Sequence, residues 1–256
     1  MPHQLFDISG RVALVTGSSR GIGRALARGL LEAGCTVVLN ARDGEQLEHT
    51  RAELADQPGG KVHAVAFDVT SPKQVADGVA QVERVAGPID ILVNNAGTQH
   101  RMPITDFTDA DWHRLLDTNV TSAFLVGREV AKRMLARQSG KIVNICSLQS
   151  EVARPGIAAY AATKGALKML TKGMCADLGP HGIQVNGIGP GYFATELTTA
   201  LVGDADFSAW VRTRTPAGRW GRVEDLVGAL IFLSSPAADF VNGQVLYVDG
   251  GMLAVL

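Results

Sequence analysis

Cysteine, surplus charge and long apolar runs are all scarce in this chain of 256 residues. Its three cysteines, Cys35, Cys146 and Cys175, form no C-x-x-C pair, so we expect neither a disulfide framework nor a metal site. The balance of 24 basic against 25 acidic residues argues against a nucleic-acid partner, which would require a basic surplus. No apolar run approaches the length of a membrane span, about 18 residues, and residues 1–7 lack the pattern of a signal peptide. We therefore expect a cytoplasmic protein without membrane association.

Short β-branched runs instead alternate with longer helical patterns along the whole chain. Several of the runs are apolar almost throughout, which is typical of parallel strands covered on both faces. The pattern predicts an α/β fold with a seven-stranded parallel sheet, helices on both faces and a single domain over residues 1–256. The predicted strands lie near 12–15, 36–39, 62–67, 89–93, 141–145, 184–188 and 244–248, and the helices near 21–33, 43–56, 72–86, 109–137, 157–178 and 223–235.

Residues 190–222 interrupt this alternation with two short helical patterns and no strand. They follow the sixth strand, and α/β sheets bind ligands outside the carboxyl ends of their strands. A long connection at that edge is usually functional. We therefore predict that this segment covers a substrate.

A glycine-rich loop, Thr-Gly-x-x-x-Gly-x-Gly, joins the first strand to the first helix. Gly17, Gly21 and Gly23 would allow a tight turn and let backbone N–H groups approach a pyrophosphate, to which the helix N-terminus adds partial positive charge. Glycines also close purely structural turns, but the strand–loop–helix context favours a nucleotide site.

A second motif predicts acid/base chemistry. Tyr160 and Lys164 lie four residues apart on a helical pattern and therefore share one face. A phenol is a weak acid near neutral pH, and a neighbouring ammonium stabilises the phenolate, which makes the hydroxyl useful for proton transfer. The alternative is an ordinary helical tyrosine beside a solvated lysine. Ser147, at the end of the fifth predicted strand, favours the catalytic interpretation.

Together these motifs resemble the short-chain dehydrogenase/reductase family over essentially the whole chain. The resemblance also includes Asn94-Asn95-Ala96-Gly97 after the fourth strand, Asn119 in the long fourth helix, and Pro190-Gly191 after the sixth strand. It implies a Rossmann-type, doubly wound fold, and hydride transfer with a nicotinamide cofactor. Fold alone does not imply activity, but an intact Asn119, Ser147, Tyr160 and Lys164 argues against a non-catalytic relative.

The resemblance also implies a role for each catalytic residue. Tyr160 would exchange a proton with the reacting oxygen, and Ser147 would hydrogen-bond that oxygen. Lys164 would in addition bind the nicotinamide ribose. Asn119 would hold a backbone kink and a water that relays protons. Cys146 beside Ser147 is interpreted as a small buried residue.

The end of the second strand predicts NADP(H) rather than NAD(H). Ala41 occupies the position where NAD-preferring relatives carry a carboxylate for the ribose hydroxyls. Arg42 follows it and Arg20 lies in the glycine-rich loop, so two guanidiniums could bind a 2′-phosphate, although both could instead be solvated. Asp43 is better explained as a helix cap. The expected cofactor contacts are Gly17, Ser19, Arg20, Gly21, Ile22, Gly23, Arg42, Asp68, Val69, Asn94, Ala96, Gly97, Tyr160, Lys164, Pro190, Gly191 and Thr195.

Residues 144–156, 190–196 and 215–221 are similar to family members that interconvert D-gluconate and 5-keto-D-gluconate. A sugar acid would need a cation, for which Arg101 and Arg154 are candidates. Gln149 and Glu151 could serve its hydroxyls, and Tyr192, a further candidate substrate residue, is expected to close over the sugar together with Glu196. The alternatives are a 3-oxoacyl-carrier-protein reductase and another sugar-alcohol dehydrogenase. Relatives bury the seventh strand against a symmetry mate, which implies a homotetramer.

Overall fold

The computed structural model describes residues 4–56 and 61–255, so residues 1–3, 57–60 and 256 of the predicted domain lie outside the described part. Seven strands form one sheet in the order β3-β2-β1-β4-β5-β6-β7, and every neighbouring pair is parallel. The predicted fold class is confirmed. The strands are β1 Val12–Thr16, β2 Thr36–Asn40, β3 Lys61–Ala64, β4 Ile91–Asn94, β5 Gly140–Ile145, β6 Ile183–Pro190 and β7 Val245–Val248.

Helices connect the successive parallel strands, as in the crossover units of α/β folds, which are right-handed in nearly all cases. Local signals set their ends: Ser71 caps α3 with Pro72 in its first turn, and the Asp43 carboxylate accepts the N–H groups of Glu45 and Gln46 at the start of α2. The helices are α1 Gly21–Glu32, α2 Gly44–Ala55, α3 Pro72–Ala86, α4 Asp109–Leu116, α5 Ser122–Arg137, α6 Ala158–Leu178, α7 Thr199–Val202, α8 Ala205–Arg214 and α9 Val227–Ser234.

Successive residues of the central strands pack into two different hydrophobic layers. In β1, Ala13 and Val15 pack with α1 and α9, whereas Leu14 packs on the opposite side with α3 and α5. All five residues of β1 are buried. A strand covered on both faces reads as a continuous apolar run, which is why the sequence shows no alternation there.

The sheet order places a crevice beside β1. The chain runs outward from β1 to β2 and β3 and then returns to β4 on the other side of β1. The loops that follow β1 and β4 therefore diverge at the carboxyl edge of the sheet, which is where doubly wound folds bind ligands. Val15 is registered with Val93 of β4, so the two loops begin side by side.

Two predicted elements differ from the structure. The third strand ends at Ala64 instead of residue 67, although the N–H groups of Val65 and Phe67 still donate to β2 and its extension. The predicted long helix over 109–137 is divided into α4 and α5 by a π-helical turn at Asp117–Thr121. Within the described ranges, no helix combines the length and apolar composition needed to cross a bilayer.

Candidate active site

A cleft of about 1150 Å³ opens along the carboxyl edge of the sheet. It is lined by residues of the glycine-rich loop, of the segments after β2, β4, β5 and β6, and of α6. All but three of the predicted catalytic, cofactor and substrate residues line it, the exceptions being Asn94, Asn119 and Glu151.

Hydrogen bonds from side chains fix the glycine-rich loop. The Asn95 Nδ2 donates to the carbonyl oxygens of Thr16 and Gly17, both at 2.9 Å. The buried Ser18 hydroxyl donates to the Val15 carbonyl oxygen and accepts the Asn40 N–H. Arg20, the N-cap of α1, makes no side-chain cap hydrogen bond. The start of α1 thus faces the cleft with its N-terminal N–H groups open to an anion.

Two glycines of this loop have conformations or neighbours that exclude a larger side chain. Gly17 has φ +62°, and a Cβ on it would lie 2.9 Å from the Cα of Ala96. A Cβ on Gly23 would lie 2.3 Å from the Gly17 carbonyl oxygen. With glycine at both positions, backbone atoms line this part of the cleft and no side chain fills it.

We expect Gly23→Ala to destabilise the fold by about 1–3 kcal/mol, because the added methyl overlaps backbone that cannot easily move. Gly173→Ala is the matched control: Gly173 lies in α6 with open space around its Cβ position, and alanine should stabilise a helix interior by about 0.5–1 kcal/mol. Urea unfolding of both variants checks the prediction. An unchanged free energy of unfolding for Gly23→Ala would contradict it.

Arg20 and Arg42 both lie at the end of the cleft beside β2, together with Ala41. Arg42 and Ala41 follow the last residue of β2, and Asp43 is occupied as the cap of α2. Arg20 lies 3.9 Å from the Glu196 carboxylate, so Glu196 approaches the glycine-rich loop and not the expected sugar position. This end of the cleft offers two cations for a phosphate.

One predicted cofactor contact needs correction. The Asn94 side chain is turned into the interior, where its Nδ2 donates to Asn144 Oδ1 at 2.9 Å. Asn95, which was not among the predicted contacts, lines the cleft instead. The motif was located correctly, but adjacent residues at a strand end point in opposite directions.

Ser147 and Tyr160 both line the cleft. The Ser147 hydroxyl, at the end of β5, donates to Gln149 Oε1 at 2.5 Å. Cys146 is buried on the other side of the chain, and burial raises the pKa of its thiol to about 11, so it stays protonated. The interpretation of Cys146 as a small buried residue is confirmed.

Lys164 is buried below Tyr160. Its Nζ donates to the Ile145 carbonyl oxygen at 2.7 Å and lies 5.8 Å from the centroid of the Tyr160 ring. The Lys164 ammonium and Asn119 Oδ1 both approach Gly97. A Cβ at that residue would lie 3.9 Å from the ammonium and 3.4 Å from the amide oxygen. Burial and the hydrogen bond to the Ile145 carbonyl oxygen hold the Lys164 ammonium close to the Tyr160 ring.

Asn119 lies inside the π-helical turn and ties it to two other segments. Its Oδ1 accepts the Thr98 N–H at 2.8 Å, and its Nδ2 donates to the Thr98 carbonyl oxygen and to Thr163 Oγ1, both at 3.0 Å. The turn frees backbone from regular helical bonding, as such turns often do at functional sites. The backbone kink expected at Asn119 is present.

Two guanidiniums, those of Arg101 and Arg154, line the cleft near Tyr160. The Arg101 guanidinium donates to Gln99 Oε1 at 2.7 Å. Burial and then the charge of Arg154 lower the pKa of Arg101. Burial raises the pKa of Tyr192, while Arg154 acts in the opposite direction. The two guanidiniums repel each other, and an anion bound by both would relieve that repulsion.

Glu151 does not serve this cleft, contrary to expectation. Its carboxylate accepts hydrogen bonds from Lys168 Nζ and, at 2.5 Å, from the Tyr247 hydroxyl. It connects the loop after β5 to α6 and β7 and is absent from the cleft lining. Gln149, the other predicted hydroxyl partner, and Tyr192, a predicted substrate residue, do line the cleft.

Comparison with known proteins gives matches over the full length of the chain. A family model described as Enoyl-(Acyl carrier protein) reductase matches residues 17–253. The chain is 58% identical to the gluconate 5-dehydrogenase of Gluconobacter oxydans (strain 621H), with 100% of both proteins covered. It is 49% identical to the 5-keto-D-gluconate 5-reductase of Escherichia coli (strain K12), with 99% of this chain and 100% of that protein covered.

A solved structure is also similar to this chain, over nearly its full length. The gluconate 5-dehydrogenase from Burkholderia cenocepacia J2315, in complex with NADP and tartrate, superposes with a TM-score of 0.96 at 54% identity, and 99% of each chain is covered.

Proposed function

Because the chain belongs to the short-chain dehydrogenase/reductase family, we propose that it is an NADP(H)-dependent oxidoreductase that interconverts D-gluconate and 5-keto-D-gluconate. The observation that carries the substrate assignment is the pair of guanidiniums, Arg101 and Arg154, in the cleft beside Tyr160. Full-length relatives named for gluconate and 5-ketogluconate support it.

The cleft fits the proposed cofactor by its backbone and its charges. The close contacts around Gly17 and Gly23 keep space for a pyrophosphate at the start of α1. Arg20 and Arg42 would bind the 2′-phosphate, and Ala41 presents no carboxylate to repel it. The NADP complex of the Burkholderia enzyme supports this choice. Asp68, Val69, Ala96, Gly97, Pro190, Gly191 and Thr195 line the same cleft and complete the proposed contacts.

In the proposed reaction the nicotinamide supplies the hydride in reduction and accepts it in oxidation. Tyr160 gives its hydroxyl proton to the keto oxygen in reduction and removes the substrate's hydroxyl proton in oxidation. The Lys164 ammonium, 5.8 Å from the centroid of the Tyr160 ring, would place a positive charge beside the group that exchanges the proton. The Ser147 hydroxyl would exchange its bond to Gln149 for one to the reacting oxygen. Asn119 keeps the π-helical turn in place beside Lys164.

Remote contacts would place the keto carbon. Arg101 and Arg154 would hold the carboxylate, with Gln149 and Tyr192 beside them for hydroxyls, so binding energy at one end of the sugar would position the other end. We propose that the protein is a single cytoplasmic domain. Within it, residues 190–222 would cover the bound substrate. Tyr192, Thr195, Leu197 and Leu201 of this segment already line the cleft.

The function is tested by comparing substrates with purified protein. NADPH oxidation is measured with 5-keto-D-gluconate, fructose and an acetoacetyl thioester. We expect the acid to give by far the highest kcat/KM, because a neutral ketose would leave Arg101 and the half-buried Arg154 without an anion. Equal turnover of fructose would refute the carboxylate argument, and preference for the thioester would favour a 3-oxoacyl reductase.

Arg101→Ala and Arg154→Ala should each raise the KM for 5-ketogluconate by about 10- to 100-fold, since a hydrogen bond to a charged group contributes about 1.5–3 kcal/mol. The KM for NADPH should not change. Arg128→Ala, on the exposed face of α5, is the matched control. Wild-type KM values in both cleft variants would contradict the assignment.

We also propose a homotetramer. β7 is the terminal strand of the sheet order and leaves Leu246 39% exposed, and the Phe240 ring just before it is fully exposed. An apolar sheet edge is prone to pair with another copy, and a two-fold contact suits a closed assembly. Light scattering at micromolar concentration should give four times the chain mass, and a monomer would contradict the proposal.

A further inference from the structure

Four aromatic rings cluster in the covering segment, residues 190–222. The Tyr192 ring meets those of Phe207, Trp210 and Trp220 edge to face, at centroid distances of 5.5, 5.7 and 5.8 Å. The Trp220 Nε1 donates to Ser208 Oγ at 3.2 Å, which ties the end of the segment to α8. Edge-to-face pairs of this kind fix ring orientation as well as fill space.

Phe207 connects this cluster to the opposite wall of the cleft. The Arg154 guanidinium carbon lies 5.2 Å from the centroid of the Phe207 ring. Arg154 belongs to the loop after Ser147, whereas Phe207 belongs to α8. The contact therefore joins the covering segment to the loop that carries Ser147 and Gln149.

Besides the Phe207 ring, the Tyr192 side chain acts on Arg154 as a hydrogen-bond partner. The Arg154 Nε is buried and has no hydrogen-bond partner among the described residues. The charge of Arg101 acts on the same side of the cleft and is repulsive. A ring face attracts a guanidinium electrostatically, more strongly when the pair is withdrawn from water. The Phe207 ring is the aromatic surface on which this cation rests.

We infer that Phe207 is a positioning residue that holds Arg154 for an anionic substrate, so that α8 determines the preference of the site for acids. The inference rests on the proposed sugar-acid function, because it assigns Arg154 to the carboxylate. Phe207 would touch neither the reacting atoms nor the cofactor. Its effect would reach the substrate only through the guanidinium.

A ring that merely fills apolar space would behave differently. It would affect the site whether or not Arg154 is present, and any apolar side chain of similar volume would replace it. A ring that positions the cation would lose its effect once the cation is removed. A double-mutant cycle separates the two, because it measures the coupling between the two side chains.

The experiment measures steady-state kinetics of 5-ketogluconate reduction in Phe207→Leu, Phe207→Tyr, Arg154→Met and the double variant Phe207→Leu/Arg154→Met. We expect Phe207→Leu to raise the KM for the acid about three- to tenfold, with kcat and the KM for NADPH within about twofold. Phe207→Tyr should retain the wild-type KM. In the Arg154→Met background, Phe207→Leu should raise the KM no further.

The matched control is Phe124→Leu. Phe124 lies under another guanidinium, that of Arg128 at 4.9 Å, on α5 and outside the cleft, so the same substitution there should leave the KM for the acid unchanged. If Phe207→Leu does not fold by circular dichroism, Phe207→Met replaces it. A wild-type KM for Phe207→Leu, or an equal effect in both Arg154 backgrounds, overturns the inference alone. If the wild-type protein does not reduce 5-ketogluconate, the proposed function fails and this inference with it.

Discussion

Replacing Tyr160 with phenylalanine should lower kcat for 5-ketogluconate reduction by about 10²- to 10⁴-fold, the usual contribution of a positioned acid or base. Affinity for NADPH should stay close to that of the wild type. The reason is that different groups would perform the two tasks: the Tyr160 hydroxyl would move the proton, whereas the glycine-rich loop, Arg20 and Arg42 would hold the cofactor. Lys164 keeps its bond to the Ile145 carbonyl oxygen in the variant, because that bond does not involve the phenol.

Tyr247→Phe is the control for this substitution. Tyr247 also loses a hydrogen-bonded hydroxyl, the one donated to Glu151 at 2.5 Å, but it lies outside the cleft lining. Its kcat should remain near the wild-type value. Stopped-flow binding of NADPH and steady-state kcat are measured for both variants. A Tyr160→Phe enzyme that retained more than about a tenth of the wild-type kcat would refute the proton-transfer role.

The fold was predictable because local and global signals agree in this sequence. The β1 run Val12–Thr16 is buried on both sheet faces, so its continuous apolar character indicates a parallel strand directly. The glycines that follow it have φ values or close neighbours that only glycine tolerates. Sequence patterns of this kind predict local conformation, and the structure adopts the local conformation that they predict.

The π-helical turn at Asp117–Thr121 was not predictable as such. The residues around it continue a helical pattern, so the helix was expected to be unbroken over 109–137. The turn is stabilised by the three hydrogen bonds of Asn119 to Thr98 and Thr163, which lie in segments far away in the sequence. The family resemblance indicated a kink at Asn119, but periodicity could not.

The partners of individual polar side chains were also hidden from the sequence. Glu151 was expected among substrate hydroxyls, yet Lys168 and Tyr247 bind it behind the cleft. Asn94 and Asn95 are both asparagines, but their side chains point in opposite directions at the end of β4. Asn94 therefore lies in the interior and Asn95 in the cleft, and the residue type does not show which is which. The contact of Arg154 with Phe207 joins the loop after β5 to α8. Such pairings depend on how segments pack, which no local pattern records.

We expect cofactor preference to depend on the few residues at the end of β2 and therefore to be the easiest property to reverse. The double variant Ala41→Asp/Arg42→Ile should lower the ratio of kcat/KM for NADPH to that for NADH by about 100-fold or more. Loss of one charge-assisted hydrogen bond to the phosphate accounts for about 10- to 150-fold, or about 1.5–3 kcal/mol. The new carboxylate adds repulsion of the phosphate and can accept hydrogen bonds from the ribose hydroxyls of NADH.

Arg51→Ile is the matched control for the charge change. Arg51 lies on α2, pairs with Glu48 at 2.7 Å and does not line the cleft, so the cofactor ratio should stay at its wild-type value. Arg20 remains in the double variant and retains its position 3.9 Å from Glu196, which is why we expect weakened binding of NADPH and not its abolition. Steady-state kinetics with both cofactors at saturating 5-ketogluconate measure the ratio. Equal kcat/KM values for NADPH and NADH in the wild-type enzyme would show that Arg20 and Arg42 are solvated charges without a phosphate partner.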